Sequence, residues 1–372
     1  MSIDIAKSLN FSSLNPILAN VSEQSLSTGL FVDEEMEFIR NVLPLPSVED
    51  VKRMILISQD LLLRSGLTEV HDAGIGPIEY EAYQELQKEN KLKIRIYAMQ
   101  NKNFVENNGI RKIETGLFSS RSIKVIYDGA LGSRGAAMLD EYEDDPGNYG
   151  TTLFTDEELL QIMHSAVQEG VQINIHAIGD RANRKVLDTL ESVLDGKESF
   201  DHRTRVEHAQ HVQMDDLKRF QRLKVIASVQ PAHYKADIRM AKKRLGSQRL
   251  HNSYLWKTFI DKGVRLVYGS DSPVASYNPI LGISSALMRE GLGEDDVLYG
   301  QERLTATECL KIMSMGAAHS RFYEDEKGKV LPGMLADLTI LDRDIRLSEP
   351  STVTNSEVVG TIVDGRIVYL KD

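Results

Sequence analysis

The chain has 372 residues, 41% of them hydrophobic and 27% charged. That is enough for one large domain or about two average ones, and it excludes disorder, coiled coil and collagen. Forty-four Lys+Arg against 55 Asp+Glu leave a net charge of −11 and a pI near 5.4, so no electrostatic attraction draws the chain to nucleic acid or to anionic membranes.

The single cysteine, Cys309, excludes an intrachain disulfide and a cysteine-rich zinc cluster and suits a reducing compartment. A metal would have to sit on His, carboxylate or modified Lys. The first residues, MSIDIAKSLNFSSLNPILANV, contain no basic stretch leading into an apolar core with a small-residue cleavage site. No apolar run approaches about 18 residues. The expectation is a soluble, cytoplasmic protein with a small-molecule substrate and neither a nucleic-acid nor a membrane partner.

Residues 1–46 show no sustained strand or helix period and form a poorly defined N-terminal segment. From residue 47 onward, β-branched runs alternate with amphipathic stretches, the pattern of βα units and a parallel sheet. Seven strands are predicted, at 67–73, 93–99, 123–128, 171–177, 204–209, 225–230 and 264–269. Ser47 with Asp50, Thr155 with Glu158 and Thr305 with Glu308 have the spacing of capping boxes at helix starts. Gly66, Gly170 and Gly263 stand where helices should stop before the next strand. Parallel strands of this length, linked by helices over more than 200 residues, favour a (β/α) barrel spanning 47–330 over a doubly wound sheet. No Gly-x-Gly-x-x-Gly follows the first strand to support a dinucleotide fold. Residues 331–372 switch to short strands, ADLTILD (336–342) and EVVGTIVDGRIVYL (357–370), with Asp364-Gly365 as a hairpin turn.

The strand ends carry the chemistry. Lys124 lies in IKVIYDG, His176 near the end of INIHA, His208 in RVEHAQ and Asp271 after VYGS. In a parallel barrel all strand C-termini face one side, where groups from different strands converge. Imidazole and carboxylate suit zinc and related divalent ions, and a lysine that has taken up CO₂ can supply carbamate oxygens. Taken singly, each is better read as a structural residue: a hydrogen-bonded His, a surface Lys, a capping Asp. Their joint placement at one end of four strands shifts the balance toward a site. His233, in QPAH, is expected to line the pocket, and His71 to be structural or to support a ligand. His164, His202, His211, His251 and His319 are expected to be solvated. The Gly-rich segment 128–150 lies on the same face, and its Arg134 meets either a substrate anion or an acidic neighbour.

The strings IKVIYDGALGSRGAA, INIHAIGDRAN, RVEHAQ, SVQPAH, GSDSPV and EDEKGKVLPGMLADLTILDRD, in this order and spacing, resemble the amidohydrolase superfamily. The branch is amidohydrolase family 3, which includes N-substituted formamide deformylase-like enzymes; the likeness runs from about Gly29 to the C-terminus. The resemblance implies a metal-dependent TIM barrel with a small β-sandwich built from both chain ends. It makes Lys124 the strand-four lysine, carbamylated where it bridges metals. His176 and His208 become the strand-five and strand-six ligands, and Asp271 the strand-eight carboxylate that handles the proton.

Family members also carry a first barrel strand ending in His-x-His, and this chain contains no His-x-His. The expected architecture is therefore a barrel without its first strand and with a remnant of the sandwich at 331–372. The leading function is hydrolysis of an amide or similar C–N bond by metal-activated water. The alternatives are a catalytically silent member of the family, or one half of a split enzyme that assembles with itself or with a complementing N-terminal chain.

Overall fold

The computed structural model describes residues 28, 44–197, 199–290 and 299–372. The chain divides into two compact units, Met1–Val51 and Lys52–Asp372; the expected segment 1–46 lies almost wholly outside the described residues. All residues proposed above for the site fall in the second unit.

Helix α1 (Val48–Arg64) opens on the Ser47–Asp50 box, in which the Asp50 amide donates to Ser47 Oγ and the Ser47 amide donates to Asp50 Oδ2, each at 3.2 Å. Seven parallel strands follow: β1 (Glu69–Ile75), β2 (Arg95–Asn101), β4 (Phe118–Ile126), β5 (Gln172–Ala177), β6 (Arg205–His208), β7 (Ile226–Val229) and β8 (Arg265–Tyr268), paired in that order. A short strand, β3 (Ile113–Thr115), joins β4 in antiparallel fashion. Helices α2 (Pro77–Lys88), α4 (Asp156–Gln168), α5 (Asp180–Leu194), α6 (Met214–Arg222) and α7 (Pro231–Arg249) alternate with the strands, and the short α3 (Lys102–Asn108) follows β2. Helix α8 (Trp256–Asp261) precedes β8, and α9 (Pro279–Met288), α10 (Ala306–Lys311) and α11 (Ala317–Ser320) follow it. The boxes Thr155–Glu158 and Thr305–Glu308 form as their spacing predicts, and Gly66, Gly170 and Gly263 adopt φ of +82°, +60° and +76° at the helix stops, a conformation only glycine reaches without strain.

The two faces of the sheet differ in chemistry. On the outer face Ile173, Ile175, Val206, Ala227 and Leu266 meet Val186, Leu187, Leu190 and Leu217 of the helices in one apolar core. A smaller core of Ile94, Ile96, Ala98, Tyr83, Leu86 and Phe118 serves β1, β2 and α2. The inner face is polar: Tyr97, Ser119, Ser122, Lys124, Gln172, Asn174, Arg205, Glu207 and Ser228 are all buried there. Among the described residues no ladder joins β8 to β1, so the curled parallel sheet has two unpaired edges.

The C-terminal region forms a three-stranded antiparallel sheet of β9 (Leu338–Leu341), β10 (Val358–Val363) and β11 (Arg366–Leu370). Asp364 and Gly365, at φ +53° and +73°, make the hairpin turn between β10 and β11. Thr361 and Thr339 donate hydroxyls to the carbonyls of Leu63 and Gly66, at 2.7 and 2.6 Å, and so fasten this sheet to the end of α1.

Two expectations need correction. His202 and His211, expected in solvent, are buried. His202 bonds Thr204 and the Leu223 carbonyl, and His211 Nδ1 lies 2.7 Å from Ser253 Oγ. An imidazole can saturate both ring nitrogens locally, so a loop position in sequence says little about its exposure.

Candidate metal centre

The strands that carry the predicted residues run parallel, so their C-terminal ends meet. On β5 the alternation of side chains puts Gln172, Asn174 and His176 on the inner face, opposite Ile173, Ile175 and Ala177. On β6 the same alternation would send His208 to the outer face with Val206. Instead the backbone turns into the left-handed region at His208 (φ +80°) and Ala209 (φ +41°). This breaks the period and leaves both Glu207 and His208 on the inner side. Such a conformation in a non-glycine residue stores strain, which the surrounding packing must sustain.

The His208 ring meets that of His176 edge to face, with centroids 4.4 Å apart, and is stacked against that of His233 at 6.2 Å. His233 is the third residue of α7, immediately past β7. Asp271 follows β8 in a left-handed turn (φ +55°), and its Oδ2 lies 3.9 Å from His233 Nε2. One ligand atom from each of His208, His233 and Asp271 falls within 4.8 Å of the others.

His176 Nε2, His208 Nδ1 and His233 Nε2 are buried and have no hydrogen-bond partner. Unmet nitrogens of this kind, facing one another beside a carboxylate, fit a divalent cation. Burial holds His208 near a pKa of about 3, with the charges of Lys124 and His233 adding to the effect, and holds His176 well below its ordinary value, with those of His208 and Lys124 adding. Both are therefore neutral, the form that binds metal. Burial pushes Asp271 up, against the pull of His233 and Lys124. Lys124, also buried, is pushed down, opposed by the carboxylates of Glu207 and Asp271.

The Gly-rich segment 128–150 is fixed over this end of the sheet. Asp128, fully buried, accepts N–H bonds from Ile178, Gly179 and Ala137 at 2.9, 2.8 and 3.0 Å and stands 3.5 Å from His176 Nε2. Burial pushes its carboxyl up to about 7 despite those three donors. Arg134 takes the acidic-neighbour option: its guanidinium donates to Asp144 at 3.1 and 3.2 Å, and Arg244 binds the same carboxylate. His71 is structural, bonded to Glu69 at 3.0 Å and to Arg205 at 2.8 Å.

The structure thus brings Lys124, His176, His208 and Asp271 to one end of the sheet, and promotes His233 from pocket wall to partner of the cluster with His208 and Asp271. The only sequence signal for that was its place just after a strand end. Glu207 and Asp128 went unremarked in the sequence, where a lone carboxylate carries no pattern.

A parallel α/β sheet with a His and carboxylate cluster at its C-terminal end is the architecture of metal-dependent hydrolases. The chain belongs to the amidohydrolase family, whose model matches residues 17–369. It is 32% identical over 363 residues to Protein LONG AFTER FAR-RED 3 of Arabidopsis thaliana, covering 92% of this chain and 61% of that one. It is 29% identical to the putative amidohydrolase YtcJ of Bacillus subtilis (92% and 66% covered) and 25% identical to N-substituted formamide deformylase of Arthrobacter pascens (82% and 58%). Among solved structures, an uncharacterized metal-dependent hydrolase from Pyrococcus horikoshii superposes with a TM-score of 0.77 at 29% identity, covering 86% of this chain and 65% of that one. The chain spans about three fifths to two thirds of the length of these relatives.

Proposed function

We propose that this chain is a hydrolase of an amide or other C–N bond in a small, non-peptide molecule, dependent on a divalent metal. The observation that carries the reading is the meeting of His208, His233 and Asp271, beside His176, at the C-terminal end of the sheet. The relatives support it through an N-substituted formamide deformylase and a metal-dependent hydrolase. His208, His233 and Asp271 would hold the cation, with His176 and Lys124 adjoining. Zinc fits this nitrogen and oxygen donor set, and its Lewis acidity would act on the substrate carbonyl and on water.

The chain's own residues do the rest. The neutral imidazoles stay available as donors of lone pairs because burial keeps protons off them. Asp271, on an exposed turn at the mouth of the site, accepts the proton that water loses on attacking the carbonyl carbon. It returns that proton to the nitrogen as the C–N bond breaks. Carbamylation of Lys124, implied by the family resemblance, would add an anionic ligand, and burial favours the neutral amine that this step needs. The two-ion arrangement that the resemblance implies would group Lys124, His176 and His208 around one cation.

The test is metal analysis of the purified chain together with turnover of a panel of N-formyl and N-acyl amides. Bound zinc and turnover, both lost in His208→Ala, are expected; a folded chain that neither binds metal nor turns over any of them sinks the reading. A second reading is a catalytically silent member of the family. Zinc binding without turnover, unchanged when a homologous segment carrying His-x-His is added, would select it. Restored turnover would instead identify a split enzyme. No helix among the described residues is long and apolar enough to cross a membrane, and we place the chain in the cytoplasm on its single cysteine.

A further inference from the structure

We propose that Asp128 is the positioning residue of His176: its buried carboxylate clasps the turn just past His176 to the Gly-rich segment 128–150, and so fixes where that imidazole stands. The inference rests on the reading of His176 as a site residue.

The Tyr127 amide donates to the His176 carbonyl at 3.1 Å. This carries the pairing of β4 with β5 one residue past the strand and puts Asp128 beside the turn between β5 and α5. The Asp128 side chain, with no exposed surface, takes three amides from two segments: Oδ1 accepts from Ile178 at 2.9 Å, and Oδ2 accepts from Gly179 at 2.8 Å and from Ala137 at 3.0 Å. Ile178 and Gly179 stand two and three residues beyond His176, so the backbone that leaves the imidazole is held in place. The Ala137 carbonyl in turn accepts from Arg181 and Ala182 at 3.1 and 3.2 Å, which ties the same loop residue to the first turn of α5.

Only a carboxylate meets this set of donors. Two oxygens are needed for three amides, and an asparagine would turn its own NH₂ against one of them. Burying the charge is costly, and the amide bonds, strengthened by that charge, offset the cost. Among the described residues His176 is the one basic side chain within ion-pair reach of Asp128, its Nε2 3.5 Å from Oδ1. Asp128 therefore holds the chain beyond the imidazole and also stands against its ring. Those are the two freedoms that decide where a histidine ligand points.

The experiment uses the full chain, with Asp128→Asn, His176→Gln and the double variant. Zinc affinity is measured by competition with a chelating dye. The reactivity of each histidine toward diethylpyrocarbonate is measured on the metal-free chain by peptide mass spectrometry. In Asp128→Asn, zinc affinity should fall about tenfold, the usual effect of removing a group that orients a ligand. His176 should react several-fold faster, while His202, buried against Thr204 and the Leu223 carbonyl, keeps its native rate. On the His176→Gln background the same substitution should change zinc affinity by less than about twofold, since no ring is left to position. An equal loss on both backgrounds, or a native His176 rate in a folded Asp128→Asn chain, overturns the proposal. Should Asp128→Asn not fold, Asp128→Glu, which keeps the charge but moves it by one methylene, decides: a faster His176 supports the clasp, and a native rate refutes it. If the native chain binds no zinc, the metal reading fails, while the His176 rates still judge Asp128.

Discussion

His208 and His211 show how burial turns a single side chain into a pH-dependent contribution to stability. Burial pushes both imidazoles down to about 3, while in the unfolded chain they titrate near the ordinary value of about 6.5. Between those values the unfolded state holds more protons. The stability each contributes is therefore complete above about pH 6.5 and is lost as pH falls toward 3, by up to about 1.4 kcal/mol per pH unit per imidazole. Asp128 works in the opposite sense: raised to about 7, it binds more protons folded than unfolded and costs stability as pH rises toward 7. Comparison with a variant isolates one share. Urea unfolding at pH 5 and pH 7.5 should show a smaller acid loss for His211→Asn than for the native chain, although the variant is less stable overall. An unchanged pH difference would mean that His211 is protonated in the fold. At this scale the sequence showed Lys124, His176, His208 and Asp271 because each sits at a strand end. It hid Glu207, because a lone carboxylate within RVEHAQ carries no pattern.

Elements were most legible where local chemistry alone decides them. All three capping boxes formed, since each needs only a side chain and an amide three residues apart. Strand β4 was read too short, as 123–128 rather than Phe118–Ile126, and the hairpin with β3 was missed. Buried serines on both faces explain this: Ser119, Ser120 and Ser122 lie within the strand, so its N-terminal half lacks the apolar alternation that marks a strand. The loop 128–150 depends on close backbone approach. A Cβ at Gly179 would lie 2.0 Å from the Ala137 carbonyl oxygen, and one at Gly150 1.9 Å from that of Ala136. Neither contact can be relieved by a side-chain rotation. Gly179→Ala should therefore destabilise the chain by about 2 kcal/mol or more, as overpacking against a rigid neighbour does, and displace the segment that covers His176. Chemical denaturation gives the first effect and loss of zinc affinity the second; a variant of native stability would show that this loop yields.

Across the whole molecule, the C-terminal sheet and the parallel sheet are joined by charge. Arg95, at the start of β2, makes a two-point bond to Asp337 at 2.6 and 3.2 Å and reaches Asp364 at 3.2 Å. Lys327 bridges Asp337 and Glu69. Asp337→Ala would leave Arg95 and Lys327 buried without their shared carboxylate, and should cost about 3 kcal/mol or more. Equilibrium unfolding checks this; a loss near zero would mean that water replaces the carboxylate. Among the described residues the edges of β1 and β8 are unpaired, which leads to an expectation about association, because open backbone donors and acceptors recruit another strand. Sedimentation of the purified chain should show self-association, and a clean monomer at micromolar concentration would rule it out.

The sequence by itself determined the parallel βα order, the helix starts and stops, the hairpin at Asp364-Gly365 and the convergence of four residues at one end. Each of these follows from side-chain period, local capping or strand direction, which act over a few residues. Tertiary structure alone decided that His233 joins His208 and Asp271, that Arg134 is taken by Asp144, that His202 and His211 are buried, and that Glu207 pairs with Arg205. Those outcomes depend on which distant strands are neighbours and on how the sheet curls, and the free energy that selects them is summed over contacts far apart in the chain.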